Sequence, residues 1–135
     1  MFALKMDADC IRDILLLAED CPADHYLTMT EMVCALPQHD KTVIDYNCYK
    51  LHEGGFIIAV TYPNGGYVPS VVSIADITFD GHQFLAKIRD EDRWKKIKTC
   101  RAALRDYSLS ALASIAQGIT AAFIGDYFSG KTFRA

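Results

Sequence analysis

Along the first fifty residues the apolar side chains recur at helical rather than alternating spacing. Ile11, Ile14, Leu15 and Ala18 fall on one face, and Asp7 or Asp9 offers a start cap, which predicts a helix over about 9–20. Cys21-Pro22 ends it, because proline disfavours helical geometry in the residue before it. His25-Tyr26-Leu27 reads as a short extended piece. Thr28-Met29-Thr30-Glu31 has the Thr-x-x-Glu spacing of a capping box and opens a second helix, about 29–36, that buries Met32, Val33 and Leu36 and stops at Pro37. A short turn leads into a third, about 40–53, with Val43, Ile44, Tyr46 or Asn47, and Leu51 near one face and Gly54-Gly55 past its end.

The period then changes. Phe56–Tyr62 is a β-rich run, Pro63-Asn64-Gly65-Gly66 is a turn whose Asn-Gly pair is the strongest short hairpin signal, and Val71–Ile74 returns as the partner strand. Helical spacing resumes at Thr78, which caps a helix over 79–88 with Phe84, Leu85 and Ile88 inward. Asp90 opens another over 91–105, with Trp94, Ile97 and Leu104 apolar, and Ser108 caps a last one over 109–128. This order predicts an α+β, mainly helical fold: a winged helix-turn-helix over 1–90 with a β-hairpin wing, and additional C-terminal helices over 91–135 packed on that core or on a dimer mate. A length of 135 residues, 51% hydrophobic and 23% charged, fits one compact globular domain.

No secretory signal opens the chain, so a cytoplasmic protein is expected. Leu109–Ile124 comes nearest to a membrane span, but it holds Ser110, Ser114, Gln117 and Thr120 and is followed by Asp126, so it reads as a buried or interface helix and no membrane contact is expected. Its stripe of Leu112, Ile115, Ile119 and Phe123 predicts a homodimer, and Gly118 and Ala121 would let a second helix approach closely.

Candidate chemistry is thin. Five cysteines, Cys10, Cys21, Cys34, Cys48 and Cys100, are an odd number without a Cys-x-x-Cys pair, so free thiols are expected, with Cys10, Cys34 and Cys48 as small buried hydrophobes in helices. His25, His39, His52 and His82 lack metal-ligand spacing, and no nucleophile elbow occurs. Gly125–Thr132 matches Gly-x-x-x-x-Gly-Lys-Thr letter for letter, yet a phosphate loop needs a strand before it and a helix after it, and here a helix precedes it and three residues follow. The expectation is no catalysis, no cofactor and no metal.

Charge alters the picture most. Residues 1–80 carry twelve acids against four bases, a net −8, while 81–135 carry five acids against ten bases, a net +5. DNA is the default partner of a winged helix, and the third helix would face it through Lys41, Thr42, Asp45, Tyr46 and Tyr49, with Tyr46, Asn47 and Tyr49 as side chains able to read base edges. Phosphate anchoring there is sparse, since Asp40, Asp45 and Glu53 oppose Lys41 and Lys50 and the wing has no charge. Lys95, Lys96 and Lys98, within a basic run from Lys87 to Arg105, would supply it, although a solvated helix face is the commoner meaning of such a run. The alternative is an acidic protein-interaction module that binds or inhibits a host protein, possibly a defence protein, without catalysis.

Three segments carry a resemblance: Asp9–Leu16; Lys50-Leu51-His52-Glu53-Gly54-Gly55-Phe56-Ile57; and Asp76–Leu85 with Ile88-Arg89-Asp90 and Trp94. Together they resemble the domain-of-unknown-function 2513 family of bacterial, phage and prophage proteins. The resemblance spans nearly the whole chain and implies a winged-helix fold in a mobile-element context, with no activity and no catalytic residues.

Overall fold

The computed structural model describes residues 6–128. Six helices and a small sheet follow one another as α1 (Ala8–Glu19), β1 (Leu27–Thr28), α2 (Met29–Ala35), α3 (Lys41–Glu53), β2 (Ile57–Tyr62), β3 (Ser70–Ile77), α4 (Phe79–Ile88), α5 (Glu91–Leu104) and α6 (Leu109–Phe128). The chain divides after Leu85 into two compact units. That places the division inside α4.

In the first unit the helix ends follow their local chemistry. The Asp7 carboxylate accepts from the Cys10 N–H at 3.1 Å and caps α1, which buries Cys10, Ile11, Ile14 and Leu15. Thr28 and Glu31 form a reciprocal capping box: the Glu31 N–H donates to Thr28 Oγ1 at 3.2 Å and the Thr28 N–H donates to Glu31 Oε1 at 3.0 Å. Thr28→Ala should lower stability by about 1 kcal/mol in a denaturant titration. The same bonds, first the Thr28 N–H and then His25 and the Thr28 hydroxyl, hold the Glu31 carboxyl below its usual range. A carboxylate so depressed stabilises the fold above the ordinary carboxylate range, and that contribution is lost as pH falls through its lowered value.

Helix α3 ends in a Schellman closure. Gly55 takes φ +82°, its N–H donates to His52 O at 3.1 Å, and the Phe56 N–H donates to Leu51 O at 2.9 Å. The turn before α3 is tied back to α1, with His39 Nε2 2.8 Å from Asp13 Oδ2 and Gln38 Nε2 donating to the same oxygen at 3.2 Å.

The sheet is larger than a hairpin. Its order is β1-β3-β2, all antiparallel, because the extended piece before α2 pairs with the return strand, Leu27 opposite Ile74 and Thr28 opposite Ser73. The return strand accordingly runs over Ser70–Ile77 rather than 71–74. The Asn-Gly pair does not make a two-residue turn. Residues 63–69 form a longer hairpin loop in which Asn64 Oδ1 accepts from the Gly66 N–H at 2.9 Å and Asn64 Nδ2 donates to Ser70 Oγ at 2.7 Å. Two register shifts, between Ile58 and Ala59 and between Val60 and Thr61, leave Ala75 and Val72 as extra residues on β3. One sheet face buries Leu27, Ile57, Val71, Ile74 and Ile77.

Helix α4 begins where two of the resemblance-bearing segments meet. Thr78 Oγ1 donates to Gly55 O at 2.6 Å, the Thr78 N–H donates to Phe56 O at 3.1 Å, and the rings of Phe56 and Phe84 stack 4.9 Å apart. Gly81 lies against this backbone so closely that a Cβ there would run into Phe56 O.

In the second unit, Asp90 caps α5 through the Arg93 N–H at 2.9 Å, and α5 and α6 pack on each other. Trp94, Ile97, Leu112 and Ala116 are buried. No helix among the described residues is long and apolar enough to cross a membrane.

Candidate nucleic-acid interface

Helix α3 sorts its side chains into three sets. Ile44, Asn47, Cys48 and Leu51 are fully buried. Asn47 therefore reads no base. Its Oδ1 accepts from the Asp7 N–H at 2.9 Å and its Nδ2 donates to Val43 O at 2.8 Å, so it anchors the start of α1. A polar residue amid Ile44, Cys48 and Leu51 at helical spacing was the available signal for this role.

The second set pins the hairpin. Asp45 Oδ1 accepts from the Val71 N–H at 2.7 Å, and one turn pair further on His52 Nδ1 accepts from the Ala59 N–H at 3.1 Å. Asp45 is thus engaged by the sheet rather than offered to a ligand. Both donors sit on the strands at or next to a register shift, where the ladder is interrupted. His52→Ala should speed hydrogen exchange of the Ala59 amide, as read by NMR, while amides of α1 keep their protection. No residue spacing announces these contacts, since they depend on the register of the bulges.

The third set faces outward. Lys41 and Thr42 are exposed, Tyr46 and Tyr49 are half-buried, and Lys50 Nζ lies 5.5 Å over the Tyr46 ring and 6.0 Å over the Tyr49 ring. Lys50 also bonds Glu53 at 3.0 Å, and its ammonium is held above its usual range by that hydrogen bond. So of the two α3 lysines, Lys41 is the one that makes no ion pair among the described residues.

Helix α5 carries the other predicted residues. Lys95 and Lys96 are exposed and make no ion pair among the described residues, while Lys98 Nζ lies 5.9 Å over the Trp94 ring. Arg101, at first sight part of the same basic run, is buried: its Nη2 donates to Tyr107 O at 2.8 Å and its guanidinium covers the Tyr107 ring at 4.9 Å, closing the α5–α6 loop. The predicted site residues therefore fall into two groups, Lys41, Thr42, Tyr46 and Tyr49 on the first unit and Lys95, Lys96 and Lys98 on the second.

The predicted dimerisation residues divide as well. Leu112 is fully buried within the chain, and Ile115 and Ile119 are half-buried. Leu112 is not available to a second copy; Phe123 lies on α6, and its side chain lies outside the described residues.

Reactive chemistry does not converge anywhere among the described residues. Burial, then the charges of Asp7 and Asp13, pushes the Cys10 thiol up to about 12, and burial raises Cys48 as well, so both are protonated at neutral pH. Cys34, expected to be buried, is exposed because it faces away from the sheet and α3 on the short α2. A cavity of about 220 Å³ between α1, β1 and β3 is lined by Glu19, Cys21, His25, Leu27, Asp76 and His82. His25 there is spent on Glu31 at 2.9 Å, and burial raises the Cys21 thiol. No three His, Cys, Asp or Glu side chains among the described residues are placed to hold a metal ion. Of the phosphate-loop match, Gly125–Phe128 is helical, within α6, and the rest lies outside the described residues.

Comparison with known proteins adds kinship without chemistry. The family described as hypothetical protein (DUF2513) matches residues 5–104, so the match stops before α6 instead of running nearly the length of the chain. An uncharacterized protein of Haemophilus influenzae is 27% identical over 117 residues, covering 86% of this chain and 95% of the relative. No solved structure matches.

Proposed function

The chain belongs to the DUF2513 family of hypothetical proteins, and from that premise we propose that it is a winged-helix regulator that contacts duplex DNA. The order helix, short strand, helix, helix, hairpin, with the short strand paired to the far strand of the hairpin, supports the winged-helix reading. In it α3 is the groove-facing helix, presenting Lys41, Thr42, Tyr46 and Tyr49, and α5 supplies phosphate contacts through Lys95, Lys96 and Lys98. The observation that carries the proposal is that Lys41, Lys95 and Lys96 are exposed and make no ion pair among the described residues. A surface ammonium with no partner gains most from displacing the counterions of a polyphosphate.

Fluorescence anisotropy of a labelled random-sequence duplex tests this. With about four phosphate contacts, affinity should fall roughly a hundredfold between 50 and 200 mM salt. No binding at tens of micromolar protein in low salt would overturn it. A second reading, an acidic module that meets a basic protein, is favoured by one observation: residues 6–85 hold twelve acids against three bases. That reading gains if the DNA measurement fails.

A further inference from the structure

The outer side of β2 is apolar, while Ser70, Ser73 and Asp76 stand across the ladder from it on β3. Ile58, Val60 and Tyr62 follow one another at alternate positions of β2, Val72 bulges from β3 beside them, and Tyr26 precedes β1. All five are between 41 and 55% exposed, although an outward sheet face is ordinarily polar. From Gly54 to Ala75 the sequence holds no charged residue. We propose that this face is where two copies of the chain associate, sheet against sheet.

Charge limits where two copies can meet. With twelve acids against three bases in residues 6–85, two copies of this unit repel at most approaches. The uncharged stretch gives them a face on which they can meet without opposing like charges. An exposed carboxylate, Asp76, stands opposite Ile58 at the end of the ladder away from the wing, and the exposed Glu31 is bonded to Thr28 at the β1 edge. An antiparallel two-fold arrangement centred near Val60 and Val72 would set each Asp76 against the partner's uncharged wing end. Isologous contact of this kind is the commonest form of homodimer.

The geometry also favours the face over the edge of the sheet. Strand addition along β2 needs free N–H groups, and the Ala59 N–H is already held by His52. Packing of two sheet faces requires only side chains. The five side chains amount to on the order of 500 Å² per copy, so about 1,000 Å² in the pair, the lower bound for a specific interface. An interface of that size implies a weak, reversible dimer. Salt should strengthen it by screening the acidic surroundings, opposite to its effect on DNA binding.

Sedimentation equilibrium of the full chain at several concentrations and two salt levels tests the proposal, with Val60→Glu and Val72→Glu, both at exposed positions, as variants. The expected result is a reversible dimer whose dissociation constant rises more than about a hundredfold in either variant, because a two-fold axis repeats each new charge. Melting temperatures close to that of the parent chain, read at a concentration where it is monomeric, would show that the variants fold. A parent chain that stays monomeric at hundreds of micromolar in high salt would overturn the proposal and assign the face to a different protein. So would a dimer that survives both variants and dissociates on Ile124→Glu, since that places the contact on α6.

Discussion

Replacing Gly81 with alanine should cost the fold about 3 kcal/mol, the largest expected effect of a single methyl group in this chain. Gly81 sits in the first turn of α4, where its backbone lies against the Gly55–Phe56 segment that leaves α3. A Cβ would meet Phe56 O, Phe56 C at 2.9 Å and Ile77 Cγ2 at 2.7 Å, and two of these are backbone atoms that cannot rotate away. Relief requires moving α4 from the end of α3, which would strain the Thr78–Gly55 hydrogen bond and the Phe56–Phe84 stack. A thermal melt should show a drop of about 10–20 °C for a unit of this size. Gly118→Ala is the control. A Cβ at Gly118 meets nothing within 4 Å, and alanine favours an exposed helix interior by about 0.5–1 kcal/mol, so that variant should melt at the parent temperature or slightly above. Equal melting of Gly81→Ala and the parent would show that α4 does not lie as closely on α3 as described.

Neutralising Lys95, Lys96 and Lys98 together should weaken duplex binding the most of any change that leaves the fold intact. Each phosphate contact contributes about one unit to the slope of log affinity against log salt, so the triple alanine variant should lose about three units of slope and bind tens to hundreds of times more weakly in low salt. Lys95 and Lys96 are exposed, so their removal leaves the helix core of Trp94 and Ile97 in place. Lys98 covers the Trp94 ring, and its replacement also removes that cation–π contact, which is why stability must be measured alongside. Charge reversal at Arg101 would be uninformative, because that guanidinium holds the Tyr107 carbonyl and its loss loosens the turn before α6. An unchanged slope in the triple variant would place the phosphate contacts elsewhere.

What could be read from the chain before folding depended on the range of the interaction. Capping by Thr28 and Asp90, the stop at Gly54-Gly55 and the helical burial of Ile11, Ile14, Leu51, Phe84 and Ile97 are set by neighbours a few residues away, and all are legible. Pairing of Leu27–Thr28 with β3 is not, because a two-residue strand has no period of its own and exists only through Ser73 and Ile74. The hairpin at Asn64-Gly65 was legible, but the length of its loop was not, because the Asn64 side chain organises residues 63–69 through its bonds to Gly66 and Ser70. At the candidate site, Lys41 and Thr42 are exposed, while Tyr46, which the spacing left as an alternative to Asn47 on the apolar face, is half-buried, as is Tyr49. The engagement of Asp45 by the Val71 N–H, 26 residues distant in sequence, was not legible, whereas Asn47 already fell near the apolar face of Ile44 and Leu51. The apolar outer side of β2 escaped notice because burial on one side of a hairpin reads the same as exposure on the other until the helices have been placed.

The most direct test of the DNA-contact account is a two-dimensional amide NMR titration of this chain with a short duplex in low salt. The account predicts progressive shifts at Lys41, Thr42, Tyr46, Tyr49, Lys95 and Lys96, reversed by added salt, with Ile58, Val60 and Val72 unmoved. No shifts at saturating duplex, or shifts confined to the outer sheet face, would contradict it.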